Sequence, residues 1–387
     1  MEHLLNDNVK NIEISGIRKF FNIVSEEEGV VSLTIGQPDF HTPNHVKQAA
    51  EQALRENKTT YTNNAGILKL REAISKFQES RYGLTYDAAS EIIVTVGASQ
   101  AIDITFRTIL RTGDEVILPA PIYPGYEPLI TLAGGKAVHV DTADYGFKLT
   151  KDLLLNNITD ETKCVVLPSP SNPTGASYSE EELRDLVEVL KDKEIFILAD
   201  EIYSELIYDQ PHASIATFPA VREKTIVING VSKSHSMTGF RIGYALAPEW
   251  LQSHMLKVHQ YNVSCASSIS QYAALEALLA GSDSTKVMRN EYEERRNYVY
   301  ERLIEMGLEV TKPNGAFYFF PKFPVKKMTS FQLGLDLVQK GRIALVPGSS
   351  FTSAGEGYMR LSYAYSMDTL REGLDRLEKY LQTTELY

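Results

Sequence analysis

Five short apolar runs stand out along the chain: EIIVTVG (91–97), EVILP (115–119), KCVVLP (163–168), EIFILAD (194–200) and KTIVING (224–230). They are apolar almost throughout and do not alternate with polar positions. That is the pattern of strands covered on both faces of a parallel sheet. Residues 180–191, EEELRDLVEVLK, put Leu183, Leu186, Val187 and Leu190 on one helical face. Ser179, with Glu182 three positions on, predicts a capping box at that helix's start. Strands alternating with helices predict an α/β architecture with helices on both faces of the sheet.

The C-terminal third has a different pattern. A charged helix is expected from Lys286 to Glu305, followed by the strand-like pieces GAFYFF (315–320), RIALVP (342–347) and YMRLSY (358–363). A last amphipathic helix carries Met367, Leu370, Leu374, Leu377 and Leu381. This reads as a smaller α+β domain, with its seam at Gly281-Ser282-Asp283. The length agrees, because 387 residues exceed the roughly 250–300 at which single cores stop growing.

Composition narrows the function. Hydrophobic residues make up 43% and charged residues 23%, ordinary values for a globular protein. A net charge of −11 without a dense Lys/Arg cluster argues against a nucleic-acid partner. No stretch reaches the roughly 18 apolar residues of a membrane span, so no membrane partner is expected. The start, MEHLLNDNVKNIEISG, has no basic patch followed by an apolar core, so it is not read as a signal peptide and the cytoplasm is the expected location. Cys164 lies in an apolar run and reads as a small buried hydrophobe; neither it nor Cys265 sits in a CxxC spacing, and no metal site is expected.

In parallel α/β sheets, ligands collect outside the carboxyl ends of the strands. After the first apolar run comes Gly97-Ala98-Ser99, opening a helix, and after the second comes Pro121-Ile122-Tyr123. The third is followed by SNPTG (171–175), and the fourth ends on Asp200 before Glu201-Ile202-Tyr203. The fifth leads into Gly230-Val231-Ser232-Lys233-Ser234. Singly, each piece has an ordinary explanation: a tight turn, a helix cap, a packed ring, a solvated lysine. Nor is Lys233 a P-loop lysine, since Ser232 stands where that motif needs glycine. Together they meet the needs of pyridoxal 5'-phosphate. Lys233 offers an amine for covalent attachment. Asp200 offers an anion for the pyridinium nitrogen, and Tyr203 and Asn172 offer donors for the ring oxygen. Tyr123 offers a face to stack on. Ser99, Ser232 and Arg241 are available for the phosphate, with a helix start that favours an anion.

Residues 232–243, SKSHSMTGFRIG, resemble the cofactor-lysine signature of the class I/II aminotransferases, the fold type I pyridoxal-phosphate enzymes. SNPTG, the Asp200–Tyr203 turn, IGQPDF (35–40) and YMRLSYA (358–364) resemble that family's other motifs, and the likeness runs from about residue 13 to the C-terminus. It implies a large cofactor-binding domain, residues 41–281, with a mostly parallel seven-stranded sheet, and a small α+β domain built from 1–40 and 282–387. It implies that Lys233 carries the cofactor and moves the substrate proton, with Asp200 on the pyridinium nitrogen and Asn172 and Tyr203 on the ring oxygen. Tyr123 would stack on the ring where many relatives have tryptophan, and Ala98, Ser99, Ser232 and Arg241 would hold the phosphate. Arg360 would clamp the substrate carboxylate, beside Asn172 and Gly36. Tyr61, in TYTNNAG (60–66), would reach the phosphate of a neighbouring subunit, which implies a homodimer with shared active sites.

Two departures bear on specificity. Gly230 stands where some aspartate enzymes of the family have a phosphate-binding serine. Ser99 stands where a subgroup has a lysine for the distal carboxylate, which argues against simple aspartate specificity. The side-chain pocket is expected from Ser15–Ile17, His41 and Tyr261–Ser264. The implied reaction is a ping-pong exchange between an amino acid, glutamate first, and a 2-oxo acid. In detail the likeness is to enzymes of lysine biosynthesis acting on N-acetyl-LL-diaminopimelate with 2-oxoglutarate. An aromatic or broad-specificity aminotransferase and a carbon–sulfur β-lyase remain open alternatives. A transcription regulator is disfavoured, because a match starting near residue 13 leaves no room for a DNA-binding segment in front.

Overall fold

Seven strands make the central sheet of the computed structural model, which describes residues 1–280, 282–325 and 328–383, with Ser282 and Asp283 described by backbone alone. They are β1 (Ile92–Val96), β2 (Glu115–Ala120), β3 (Lys136–Asp141), β4 (Thr162–Pro168), β5 (Phe196–Asp200), β6 (Thr225–Gly230) and β7 (Ile242–Leu246). The order across the sheet is β1-β7-β6-β5-β4-β2-β3, and every neighbouring pair is parallel except the two made by β7. The five apolar runs became β1, β2, β4, β5 and β6. Val94, Ile117, Val165, Ile197 and Val227 pack into the core on one face. Ile93, Val116, Val166, Leu198 and Ile226 pack on the other. Successive side chains of a strand point to opposite faces, so covering both faces requires an unbroken apolar run.

The two strands not read from the sequence each lack that signal. β3 lies at the sheet edge and is exposed at Lys136, His139 and Asp141. β7 is five residues long, carries a glycine, and runs against its neighbours directly after Arg241.

Among the helices that cover the sheet, open the site or close a second core are α1 (Gly97–Ile109), α2 (Glu180–Leu190), α3 (Val231–Ser234), α4 (Ser282–Glu305) and α5 (Met367–Thr383). The capping box of α2 is formed in both directions, and Leu183, Leu186, Val187 and Leu190 are its buried face. α4 begins at Ser282, four residues ahead of the expected start; Gly281, the first residue of the expected seam, lies outside the described residues.

The C-terminal strands are shorter than their apolar runs. β8 (Tyr318–Phe319), β9 (Val346–Pro347) and β10 (Met359–Ser362) form an antiparallel sheet in the order β9-β10-β8. Ile343 and Ala344 instead pair in parallel with Val31 and Ser32. One run, 342–347, thus serves two small sheets and stays apolar because both are buried. The second core gathers Leu33, Tyr292, Phe317, Phe319, Leu361, Leu374 and Leu377. Tyr203, Leu206 and Tyr208, from the segment after β5, belong to it. That segment joins the carboxyl edge of the large sheet to the second core. Among the described residues, no helix is long and apolar enough to cross a membrane.

Candidate active site

β5 ends on Asp200, opposite Pro168 of β4 and Ile228 of β6. Its carboxylate is buried. Oδ2 accepts from the Tyr126 hydroxyl at 2.6 Å and Oδ1 from the Ile202 amide at 3.2 Å. Burial pushes the carboxyl up to about 6; the Tyr126 and Ile202 hydrogen bonds pull it back, and the charge of Glu201 pushes further up. A carboxylate this buried keeps its charge comfortably only with a cation against it.

Lys233 sits in α3, straight after β6, and its amine donates to the Gly36 carbonyl at 2.7 Å. Burial, with Arg360 and Arg241 nearby, brings it down to about 8. An amine so placed is neutral, and therefore nucleophilic, far more often than a surface lysine.

Arg360 comes from β10 and is 3% exposed, so it is no strand-edge surface charge. Nη1 donates to Asn172 Oδ1 at 2.9 Å and Nη2 to the Thr34 carbonyl at 2.7 Å. The guanidinium carbon lies 4.4 Å from the Tyr318 ring centre and 5.1 Å from that of Phe351. Nε is buried without a hydrogen-bond partner among the described residues. An unspent donor on a dry, stacked guanidinium is what an arriving carboxylate would take up. Because Asn172 turns its oxygen to Arg360, its amide nitrogen is left to donate elsewhere. Tyr203 holds its hydroxyl 2.8 Å from that of Tyr318, and both rings are buried.

The other end of the site is built by α1. It starts at Gly97, in the left-handed region at φ +73°, with no side chain capping its first turn. A Cβ on Gly97 would come within 2.3 Å of Arg241 Nη2, and a Cβ on Gly243 within 2.5 Å of the Ala98 nitrogen. Glycine at both places lets the helix start, the head of β7 and the guanidinium converge. Uncapped amides facing a guanidinium make an anion cradle. Arg241 is steadied by donating to the Thr238 carbonyl at 3.0 Å. Tyr123 lies at this end too, its ring meeting that of Tyr126 edge-on with centroids 5.7 Å apart. The residues therefore fit pyridoxal phosphate: an anion cradle, a buried carboxylate with no cation against it among the described residues, and a half-buried amine.

The structure thus brings Gly36, Asn172, Asp200, Tyr203, Lys233 and Arg360 into one region, with Ala98, Ser99, Tyr123 and Arg241 at its other end. Ser232 is buried beside Lys233 in α3. Tyr61 stands apart, 87% exposed. Of the expected pocket lining, Ile17 packs on the cluster that holds Phe351, whereas His41 and Tyr261 face outward. Sequence reading missed Tyr126 and Tyr318. Tyr318 lies in the apolar run GAFYFF and Tyr126 between Gly125 and Glu127, and neither stretch marks its hydroxyl.

The model of the family "Aminotransferase class I and II" matches residues 28–377. The chain belongs to the class I and II aminotransferases. Enzymes of this family depend on pyridoxal phosphate and act on amino acids and 2-oxo acids, and the chain is an aminotransferase of that kind. It is 61% identical over 381 residues to a Bacillus subtilis (strain 168) protein named a probable N-acetyl-LL-diaminopimelate aminotransferase, covering 98% of this chain and 96% of that one. It is 39% identical to aromatic-amino-acid aminotransferase 2 of Thermococcus litoralis, over 99% of both chains. Among solved structures, the aspartate aminotransferase of Thermus thermophilus with maleate superposes with a TM-score of 0.91 at 36% identity, covering 97% of this chain and 99% of that one. The aminotransferase fold, with its mostly parallel seven-stranded sheet, is therefore shared along nearly the whole chain.

Proposed function

We propose that this aminotransferase exchanges the amino group of glutamate with the 2-oxo acid related to N-acetyl-LL-diaminopimelate, in lysine biosynthesis. The observation that carries the chemistry is the half-buried Lys233 amine, donating to the Gly36 carbonyl in reach of the fields of Arg360 and Arg241. The 61% relative supports the substrate.

Pyridoxal phosphate, when bound, supplies the electron sink that lets the substrate Cα–H bond ionise. The rest is the work of this chain. Arg360 binds the substrate carboxylate with two donors, which fixes the substrate's orientation in front of Lys233. Lys233 Nζ takes the proton from Cα and returns it on the far side of the exchange. Asp200, held by Tyr126, would keep a proton on the ring nitrogen. Asn172 Nδ2 and the Tyr203 hydroxyl would donate to the ring oxygen, and Tyr123 would cover the ring. Ala98, Ser99, Ser232 and Arg241 would hold the phosphate at the start of α1. Tyr61, exposed on this chain, would complete the phosphate site of a second copy in a homodimer. Residues 41–281 form the cofactor domain and 1–40 with 282–387 the small one. Both cysteines are free, in keeping with a cytoplasmic enzyme.

The test is the visible absorbance of the protein loaded with pyridoxal phosphate and titrated with glutamate, N-acetyl-LL-diaminopimelate, aspartate, alanine and phenylalanine in turn. Loss of the visible band with the acyl-diaminopimelate and with glutamate, at the lowest concentrations, supports the assignment. Preference for phenylalanine moves the enzyme to the aromatic class. No visible band at all removes Lys233 from its role.

A further inference from the structure

Tyr203 and Tyr318 face one another with hydroxyl oxygens 2.8 Å apart. Tyr318 belongs to β8 and pairs in register with Ser362 of β10, the strand that carries Arg360. Its ring centre lies 4.4 Å from the Arg360 guanidinium carbon. Its hydroxyl lies so close to Gly36 that a Cβ there would come within 2.9 Å of it. Gly36 is also the residue whose carbonyl receives Lys233. One buried side chain therefore touches the carboxylate subsite, the phenol facing the cofactor ring, and the backbone holding the lysine.

We propose that Tyr318 is a positioning residue that sets Tyr203 as a donor to the cofactor's ring oxygen and ties that donor to Arg360. The inference rests on the pyridoxal-phosphate reading of the site. Each phenol has one proton to give. When Tyr203 spends its proton on the ring oxygen, the 2.8 Å contact must be supplied by the Tyr318 proton. A donor behind a donor polarises it and strengthens the outer hydrogen bond. Burial raises both hydroxyls above the ordinary tyrosine range, Tyr203 the further, and the guanidinium over the Tyr318 ring pulls Tyr318 back, in the same direction. The charged and titratable groups that face Tyr318 are Arg360, Tyr203, Tyr123 and Tyr365. Those that act on Lys233 are Arg360 and Arg241. A stronger bond to the ring oxygen draws negative charge away from the Lys233 nitrogen, so the proton on that nitrogen leaves at lower pH.

The experiment reads the pH midpoint of the visible absorbance of the cofactor-loaded protein, alongside steady-state constants. Tyr318→Phe keeps the ring on Arg360 and removes only the hydroxyl. Its midpoint should rise by about half a pH unit or more, the size of one net hydrogen bond. Its KM for glutamate should stay within about twofold of the native value. Tyr318→Leu should show the same rise and, having lost the ring, a KM about tenfold higher. In the double variant with Tyr203→Phe, the midpoint should equal that of Tyr203→Phe alone, because Tyr318 acts only through Tyr203. An unmoved midpoint in Tyr318→Phe, or shifts that add in the double variant, overturns the proposal. A native protein with no visible band overturns the cofactor reading itself, and the proposal falls with it.

Discussion

Replacing Asp200 by asparagine should stabilise the cofactor-free protein while disabling the enzyme. Burial lifts this carboxyl from 3.8 to about 6, roughly two pH units. At about 1.4 kcal/mol per unit, holding it ionised in the folded, cofactor-free chain costs about 3 kcal/mol. The folded pKa lies above the unfolded one. The carboxyl's favourable contribution is therefore complete below about pH 4, is lost as pH rises through about 6, and changes little beyond about 7. Asparagine has nearly the same shape. Its oxygen can accept from the Ile202 amide as Oδ1 does now, and its NH2, standing in place of Oδ2, can donate to the Tyr126 hydroxyl oxygen.

Urea unfolding of the two cofactor-free proteins at pH 4, 6 and 8 measures the difference. With a slope of about 3 kcal/mol per molar urea, Asp200→Asn should unfold about 1 M later than the native protein at pH 8 and at the same urea concentration at pH 4. Loading pyridoxal phosphate should reverse the order, because a protonated ring nitrogen is the cation the carboxylate lacks. Turnover of the variant should be at least about a hundredfold lower, the usual cost of losing a preorganised charge in an active site. Equal unfolding midpoints at pH 8, or an offset that is the same at pH 4, would refute the idea that this carboxylate is held for a cation.

The strands that carry the site were legible because they are covered on both faces, and the residues after them were legible because the strand ends share one edge. Asn172, Asp200, Tyr203 and Lys233 could be grouped that way before any side chain was placed. β3 was hidden because an edge strand mixes exposed Lys136 and His139 with buried Val140. β7 was hidden because its five residues follow directly on the turn that displays Arg241. The split of 342–347 between two sheets leaves no mark, since both halves are buried and apolar. Tyr126 and Tyr318 were invisible for a related reason. A tyrosine can bury its ring like a phenylalanine, in an apolar run as Tyr318 does or between Gly125 and Glu127 as Tyr126 does, and sequence does not say where the hydroxyl ends. Tyr61 is different again: its proposed partner is on another chain.

Arg360→Met should raise KM for both glutamate and 2-oxo acids by at least about a hundredfold, since two charge-assisted hydrogen bonds to the carboxylate are lost; steady-state kinetics at fixed cofactor saturation decide it. Capture of pyridoxal phosphate by the cofactor-free protein should speed up about tenfold per pH unit up to about 8 and then level off, because the neutral Lys233 amine is the nucleophile. A stopped-flow rate that is flat between pH 6 and 8 would contradict the lowered pKa. Gly97→Ala should weaken cofactor binding by about 10–100-fold, which equilibrium dialysis against pyridoxal phosphate measures. Two costs act at Gly97: its left-handed φ of +73°, and a Cβ that would lie 2.3 Å from Arg241 Nη2. The second forces the guanidinium off the start of α1 and forfeits a charge-assisted contact of about 1.5–3 kcal/mol. Gly83 separates the two, because it has φ +69° with nothing within 4 Å of a Cβ. Gly83→Ala should therefore lower stability to a similar degree and leave cofactor affinity alone. If both variants lose affinity equally, backbone strain is the cause, and the convergence of Gly97 with Arg241 is not what builds the phosphate cradle.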